Sequence, residues 1–329
     1  MIDDIASMTP RPIIVFTGGD CFERGDLFEL VEHAIGVGLR VGVAPSVTER
    51  LTRETMSRLY EAGVRSVSIS LDGSTPASHD TLRGIPGHFE KTLEALAMLV
   101  EMGFRIQVNT TVMRRNAHEL ADVAHLLENL GVGIWEVFFL VGVGRGADVD
   151  EVSAEDAEDI GHFLVDVANR GMTVRTVEAP FFRRVQAERL AAAVDDPAVH
   201  FGLGSLYRDL SGSLGERFPD RAGHSATLAT GDGRGIVFVG YDGEVHASGF
   251  LPVSLGNVRE VGLGEIYTTS DLLTTLRAGA LTGWCGQCDY VRLCGGSRAR
   301  AYARTGDVLA DDPACVRTRR TRRIQLAAR

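Results

Sequence analysis

Short apolar runs alternate with amphipathic stretches through the first half of the chain. Each apolar run is bounded by turn residues and predicts a β-strand; the five runs are Pro12–Thr17, Leu39–Ser46, Arg65–Leu71, Arg105–Val112 and Ile134–Val141. Apolar residues between and after them recur at helical spacing; the predicted helices begin at Asp26 or span Thr52–Ala62, His88–Met102, Ala117–Leu130 and Ala154–Asn169. Asp26 and Glu29 resemble a capping box, and Gly63 is placed to end a helix. Strands separated by helices predict a parallel sheet and an α/β fold.

Three of these strands carry polar or small residues on one face only, namely Leu39–Ser46, Arg65–Leu71 and Arg105–Val112. Serines alternate with aliphatic residues in Arg65–Leu71, and Gln107 and Asn109 alternate with aliphatic residues in Arg105–Val112. A parallel sheet covered on both faces is apolar almost throughout, and a closed eight-stranded barrel fills its lumen with bulky aliphatic side chains. The pattern therefore predicts an open partial barrel whose polar inner face holds a polar ligand.

The second half of the chain divides at a change in composition. Residues 181–234 are rich in Arg, Asp and Gly and predict an irregular connecting region after a first domain, 1–180. Residues 235–329 form the last predicted domain. It opens with a hairpin, because Asp242-Gly243 favours positive φ between two short apolar runs.

Four of the five cysteines, namely Cys285, Cys288, Cys294 and Cys315, lie in the last fifth of the chain. Clustered cysteines in a reducing compartment indicate metal or redox chemistry before disulfides. Four thiolates suit a tetrahedral zinc ion or a 4Fe–4S cluster. Zinc ribbons usually supply two C-x-x-C pairs, and this chain has one, so the spacing favours iron–sulfur. A structural zinc site and four unligated core cysteines remain the alternatives.

Charge and hydropathy narrow the class of protein. The net charge of −10 argues against a nucleic-acid partner over the whole surface. No apolar run approaches the roughly 20 residues of a membrane span, and the first residues do not resemble a secretory leader, so we expect a cytoplasmic protein. One basic cluster predicts a solvated terminal helix; it contains Arg317, Arg319, Arg320, Arg322 and Arg323.

Several segments, taken in order, resemble the core of radical S-adenosylmethionine (SAM) enzymes: Gly18-Gly19-Asp20, Val67-Ser-Ile-Ser-Leu-Asp-Gly73, His79-Asp80 with Arg83-Gly84, and Val108-Asn-Thr-Thr-Val112. Residues 243–258 and the cysteine region, with Cys294-Gly-Gly296, look like the SPASM-type C-terminal extension of that family. The likeness covers nearly the whole chain. It implies a partial (β/α)6-type open barrel missing its first strand, followed by a small cysteine-rich SPASM-type domain.

The resemblance also implies roles for individual residues. Gly18, Gly19 and Asp20 would bind the amino group of the SAM methionyl moiety. Ser70 and Asn109 would approach its ribose or carboxylate, and Leu140 and Val141 would flank adenine. Cys285, Cys288, Cys294 and Cys315 match the ligands of an auxiliary 4Fe–4S cluster. Because that cluster would be fully ligated, electron relay or a structural role fits it better than substrate binding.

The sequence departs from the family at three places. Radical SAM enzymes carry a C-x-x-x-C-x-x-C loop before the Gly-Gly-Asp segment, and no cysteine precedes Gly18 here. We therefore expect a chain truncated before the motif for the catalytic 4Fe–4S cluster. Ser248 stands where many SPASM domains have a cysteine, which argues against a second auxiliary cluster, and Cys21 stands where the family often has proline. We expect Cys21 to be inert.

The expected function is reductive cleavage of SAM to a 5′-deoxyadenosyl radical, which abstracts hydrogen from a peptide or cofactor precursor. Such an enzyme needs an electron donor such as flavodoxin or ferredoxin. The alternatives are a non-catalytic iron–sulfur protein that relays electrons or binds a peptide, and the structural zinc protein. His79, Asp80, Arg83 and Glu178 are further candidates for the cavity, although each suits a surface or capping position equally well.

Overall fold

The computed structural model describes residues 1–142, 150–217 and 231–318. Six parallel strands lie side by side in chain order in one curled, open half-barrel sheet: β1 Ile13–Phe16, β2 Arg40–Val43, β3 Ser66–Ser70, β4 Arg105–Val112, β5 Ile134–Phe139 and β6 Thr173–Val177. The five predicted strands and the α/β half-barrel are thus confirmed. The predicted tail helix lies, from residue 319 onward, outside the described residues.

Helices flank these strands along the chain. The first seven are α1 Ile2–Ser7, α2 Leu27–Gly36, α3 Arg53–Ala62, α4 Pro76–Arg83, α5 His88–Glu101, α6 Leu120–Asn129 and α7 Ala154–Asn169. Thr52 caps α3 by accepting a hydrogen bond from the Thr55 amide, and Gly63 ends that helix at φ 111°. The predicted capping box at Asp26 is wrong, because the Asp26 carboxylate pairs with Arg24 instead of the helix amides.

Register places the polar faces of β3 and β4 together. Ser70 lies directly opposite Asn109 in the parallel pair. Along β4, Gln107 and Asn109 are half-buried, whereas Val108 and Thr110 are fully buried. The polar side of the sheet is therefore the accessible one, as the alternation predicts.

For residues 181–217, the prediction of an irregular region is wrong, whereas residues 218–230 of that region lie outside the described residues. Residues 181–217 form three helices, α8 Phe181–Ala192, α9 Pro197–Phe201 and α10 Ser205–Arg217. The polar composition is misleading because Arg183 and Arg184 are buried beside Phe181 and Phe182 in α8. Arg183 donates to the Leu293 carbonyl and Arg184 pairs with Glu158, both far away in the sequence, so the helix buries a face that does not read as apolar in the sequence.

A second, antiparallel sheet forms the predicted hairpin and one further strand. Its strands are β7 Phe238–Val239, β8 Glu244–His246 and β9 Ser254–Asn257. Gly243 adopts φ 90° in the turn between β7 and β8, a conformation that favours glycine. Four helices follow: α11 Leu263–Thr269, α12 Asp271–Ala278, α13 Gly283–Gln287 and α14 Arg298–Thr305. The apolar core of this region includes Ala247, Leu273 and Ala299.

The chain forms two compact units. One comprises Met1–Thr111 and Asp122–Glu136, and the other comprises Val112–Ala121 and the chain from Val137 onward. In the part of the chain that the structure describes, no helix is both long and apolar enough to span a bilayer. The division into 1–180, 181–234 and 235–329 stays a prediction.

Candidate functional site

The Gly18–Asp20 loop follows β1 and is held by its own acidic residue. The Asp20 carboxylate accepts hydrogen bonds from the Ser46 amide at 3.3 Å and the Thr48 hydroxyl at 2.9 Å. The Ser46 hydroxyl in turn donates to the Gly19 carbonyl at 2.5 Å. Gly18 adopts φ 132°, and a side chain at Gly18 or Gly19 would meet open space. The loop therefore presents bare, exposed backbone that a ligand can approach closely.

Polar side chains line the accessible face of the parallel sheet, whose first strand, β1, leads into this loop. The side-chain nitrogen of Gln107, Nε2, donates hydrogen bonds to Asn109 Oδ1 at 2.9 Å and to the Glu136 carboxylate at 2.8 Å. Ser70 lies next to Asn109 across the strand pair. The structure thus brings together Ser70, Gln107 and Asn109, which the sequence places on the inner face, and adds Glu136 to their surroundings.

Beyond β3, the candidates His79, Asp80 and Arg83 have structural roles. Arg83 forms a 2.7 Å ion pair with buried Asp72, which also accepts the Thr111 amide at 2.7 Å and so joins β3 to β4. The Asp80 carboxylate accepts the Gly87 and Phe89 amides at the start of α5. The Asp72 contacts hold the end of β3, which carries Ser70, against β4, which carries Asn109.

His79 is wholly buried and has a defined tautomer. Its Nδ1 accepts the Asp72 amide at 3.1 Å, so its Nε2 carries the proton and donates to His88 Nδ1 at 2.9 Å. Burial, with smaller contributions from Arg83 and His88, lowers the pKa of His79 to about 4, from 6.5. Between about pH 4 and pH 6.5, the unfolded chain therefore binds a proton at His79 that the folded protein does not bind.

The free energy of unfolding should consequently fall as pH decreases from about 6.5 to about 4, because protonation in this window favours the unfolded chain. Urea titrations across this window should show a flatter pH dependence in His79→Gln than in the wild type. Equal slopes in the two proteins would contradict this assignment.

Leu140 and Val141 follow β5. The Leu140 amide donates to the Val112 carbonyl at 3.3 Å, and its side chain is half-buried. Val141 is 4% exposed and packs in the apolar core with Ala247 and Leu251. Their place beside adenine stays a prediction.

All four clustered cysteines line one cavity of about 150 Å³. The volume is several times the roughly 30 Å³ that one water molecule occupies in the liquid, so the cavity suits a group of several atoms. The Asp312 amide donates to Cys285 Sγ at 3.5 Å, and the Gly296 amide donates to Cys294 Sγ at 3.4 Å. Amide donors directed at sulfur stabilise thiolate, the form in which cysteine binds metal.

Arginines surround the same cavity. Arg298 Nη2 lies 4.0 Å from Cys285 Sγ, and Arg184 and Arg317 line the wall. Burial raises the pKa of Cys285 to about 11 and that of Cys294 to about 12, so a ligated site must replace these protons with metal. Within residues 1–142, 150–217 and 231–318, no group of three or more His, Cys, Asp or Glu side chains is arranged to hold a single metal ion.

The helices of this region direct the cysteines by polar contacts that the sequence does not reveal. The Cys285 amide donates to Asp311 Oδ1 at 2.9 Å, and the Asp312 carboxylate accepts the Ser297 amide at 2.8 Å. Asp312 also pairs with Arg300 at 3.3 Å in a fully buried ion pair. Sequence reasoning missed both aspartates; their position just before Cys315 was the available signal.

Two further positions bear on the chemistry. Cys21 is buried, and burial followed by the Asp20 charge raises the pKa of its thiol to about 12, which makes it unreactive. Ser248 donates to Glu178 Oε1 at 2.7 Å, and Ser297 donates to the other Glu178 oxygen. Glu178 adopts φ 56°, a conformation uncommon for a non-glycine residue, and its carboxylate serves this buried polar contact.

Comparisons with known proteins identify the family of this chain. The model of the radical SAM superfamily matches residues 1–127. The AdoMet-dependent heme synthase of Methanosarcina barkeri (strain Fusaro) is 36% identical over 318 residues, which are 96% of this chain and 85% of that protein. The PqqA peptide cyclase of Rhodopseudomonas palustris is 28% identical over 313 residues, covering 91% of this chain and 72% of that protein.

A solved structure shares the fold. Streptococcus suis SuiB superposes with a TM-score of 0.62 at 11% identity, covering 92% of this chain and 66% of that chain. The likeness to SuiB concerns the architecture alone, whereas the heme synthase covers nearly all of this chain at an identity typical of one family. The chain therefore belongs to the radical SAM superfamily, among enzymes of the radical SAM/SPASM type.

Proposed function

We propose that this chain binds SAM along β1, β3 and β4 and an auxiliary 4Fe–4S cluster on Cys285, Cys288, Cys294 and Cys315. The enzyme would cleave SAM reductively and abstract hydrogen from a cofactor precursor. The observation that carries the proposal is that Cys315 lines the same cavity as Cys285, Cys288 and Cys294, which precede it in one short stretch of the chain. Enzymes of this family use a 4Fe–4S cluster together with SAM, which supports SAM as the ligand of the sheet.

The geometry of the Gly18–Asp20 loop and of the accessible sheet face supports the proposed SAM contacts. Gly18 and Gly19 offer open backbone to the methionyl group, and Asp20 holds that backbone in place while its oxygens stay close to a bound amino group. Ser70 and Asn109 supply a hydroxyl and an amide on the accessible face. These groups bind and orient a polar ligand with charged and hydroxyl substituents.

Replacing Asp20 by alanine should weaken SAM binding about tenfold, or by about 1.4 kcal/mol. The substitution removes the acceptor for the Ser46 amide and the Thr48 hydroxyl, so the Gly18–Gly19 backbone loses its fixed position. Isothermal titration with SAM measures the effect. Asp26→Ala is the matched control, because Asp26 pairs only locally with Arg24; equal losses in both variants would contradict the assignment.

Four features of the cavity fit an auxiliary cluster: four thiols, amide donors to two sulfurs, arginines in the wall, and a volume for several atoms. When bound, a fully ligated cluster supplies one-electron transfer. The surrounding residues orient the thiolates and exclude water from them. An electron donor such as flavodoxin or ferredoxin is part of the proposal.

The catalytic cluster of the family has no ligands among these residues. The 329 residues contain five cysteines, and no C-x-x-x-C-x-x-C triplet. These residues therefore supply no thiolates for that cluster. Translation of the DNA upstream of Met1 in frame tests whether such a triplet is encoded there; stop codons without such a motif would contradict SAM cleavage as the reaction.

The proposed substrate of this enzyme is a heme-type precursor. The relative at 36% identity is named as a heme synthase, and the relative at 28% as a peptide cyclase. The greater similarity to the former supports a tetrapyrrole, and the peptide is the second candidate. Titration of the purified protein with an iron porphyrin should shift the Soret absorbance at equimolar ratio. An unchanged Soret band together with binding of a peptide would favour the peptide over the tetrapyrrole as the substrate.

A further inference from the structure

Arg184 is buried in the wall of the cysteine cavity. It lies in the first turns of α8, is 3% exposed, and lines the cavity together with the four thiols. Two carboxylates hold its outer nitrogens: Nη1 donates to Glu158 at 2.9 Å and to Glu188 at 2.5 Å, and Nη2 donates to the other Glu158 oxygen. The guanidinium therefore has a fixed position and orientation.

The third nitrogen of this guanidinium is unsatisfied. Among the residues that the structure describes, Arg184 Nε is buried and has no hydrogen-bond partner. Buried donors in native proteins are almost always paired with protein, water or a bound group, so such an orphan needs an explanation. Because Arg184 borders a cavity, a group bound in that cavity can accept this hydrogen bond.

The lining of the cavity identifies the acceptor. Arg184 shares this lining with Cys285, Cys288, Cys294 and Cys315. Its guanidinium places positive charge at the wall, and in the ligated site the sulfurs of the cysteines and of the cluster carry negative charge.

We propose that Arg184 Nε donates a hydrogen bond to a sulfur of the auxiliary cluster and thereby sets the reduction potential of the cluster. This inference rests on the proposed cluster at Cys285, Cys288, Cys294 and Cys315. A hydrogen bond to sulfur stabilises the reduced, more negative form, so Arg184 raises the potential. Glu158 and Glu188 position the guanidinium, and Glu188 also binds Arg317 of the same wall at 3.0 Å.

The test is the midpoint potential of the auxiliary cluster in Arg184→Lys, measured by redox titration with EPR detection. Lysine keeps the charge for Glu158 and Glu188 but lacks the Nε donor. We expect the reduction equilibrium to fall tenfold, a shift of about 59 mV to more negative potential for a one-electron couple, with unchanged iron content.

Arg189→Lys is the matched control. Arg189 lies on the same helix, pairs with Asp166 at 2.5 Å, and has a buried Nη1 that lacks a partner within the described ranges. It lines a different cavity, so its replacement should leave the potential unchanged. An unshifted potential in Arg184→Lys, or the same shift in both variants, would overturn the proposal.

A second measurement uses the wild-type protein and does not depend on the folding of a variant. Arginine labelled with ¹⁵N at Nε should give a hyperfine coupling to the reduced cluster in pulsed EPR. Arg298, which also approaches the thiols, does so through Nη2, whereas its Nε donates to the Gly296 carbonyl. Absence of the coupling in iron-loaded protein would contradict the hydrogen bond from Arg184 Nε to the cluster. Absence of iron from the wild-type protein would contradict the proposed function itself.

Discussion

Replacing Cys285 and Cys288 together by serine is expected to reduce the iron content from about four atoms per chain to nearly none. Both thiols line the cavity, and Cys285 receives hydrogen bonds from the Asp312 amide and from Arg298. Serine keeps the approximate volume but is a poor ligand for iron, so two of four anchors are lost. Iron and sulfide analysis after anaerobic purification measures the effect, together with the loss of broad absorbance near 400 nm.

Cys21→Ser is the matched control for this experiment. Cys21 is buried in the first compact unit, and its thiol has a pKa of about 12 because of burial and the Asp20 charge. Its replacement should leave the iron content of the protein unchanged. Iron retained in the Cys285/Cys288 variant, or lost equally from the Cys21 variant, would place the metal somewhere other than the cavity.

Replacing Asp312 by alanine should lower the free energy of unfolding of its compact unit by about 3–5 kcal/mol, the effect of breaking a buried ion pair. Asp312 is 1% exposed and pairs with Arg300, which is 4% exposed. Its carboxylate also accepts the Ser297 amide at 2.8 Å and the Ala314 amide at 3.0 Å. Alanine leaves a buried guanidinium unpaired and two amides without this acceptor.

Urea unfolding followed by tryptophan fluorescence at Trp284, with Trp135→Phe as the background, measures this loss. Asp209→Ala supplies the control, because Asp209 is exposed on α10 and its replacement should change stability by less than about 0.5 kcal/mol. A difference below about 1 kcal/mol between the two variants would show that Asp312 contributes little to the fold around the cysteines.

The sheet could be predicted because its signal is local. The alternation of serine with aliphatic residues in β3, and of polar with aliphatic residues in β4, fixes both the strand and its accessible face. β6, Thr173–Val177, escaped prediction because two threonines and an arginine interrupt its only two valines. Helix α8 escaped because the burial of Arg184 depends on Glu158, 26 residues away in the chain.

Some parts of the candidate site could likewise be predicted from the sequence, and others could not. Cysteine spacing and the Gly18–Asp20 segment can be read directly from the sequence, since each motif is continuous or nearly so. The groups that support them are ordinary polar residues whose partners are remote: Asp20 binds Ser46 and Thr48, and Asp312 binds Ser297 and Arg300. Only the fold brings those partners together, which is why Asp312 and Arg184 were not foreseen.

In the proposed function, the four cysteines of one cavity hold a four-iron cluster. Mössbauer spectroscopy of anaerobically purified, ⁵⁷Fe-enriched protein tests this assignment, because it reports the type and number of iron centres. We expect a quadrupole doublet of a 4Fe–4S centre that disappears from the Cys285/Cys288 serine variant. Protein that contains zinc in place of iron, or iron whose signal survives in that variant, would contradict it.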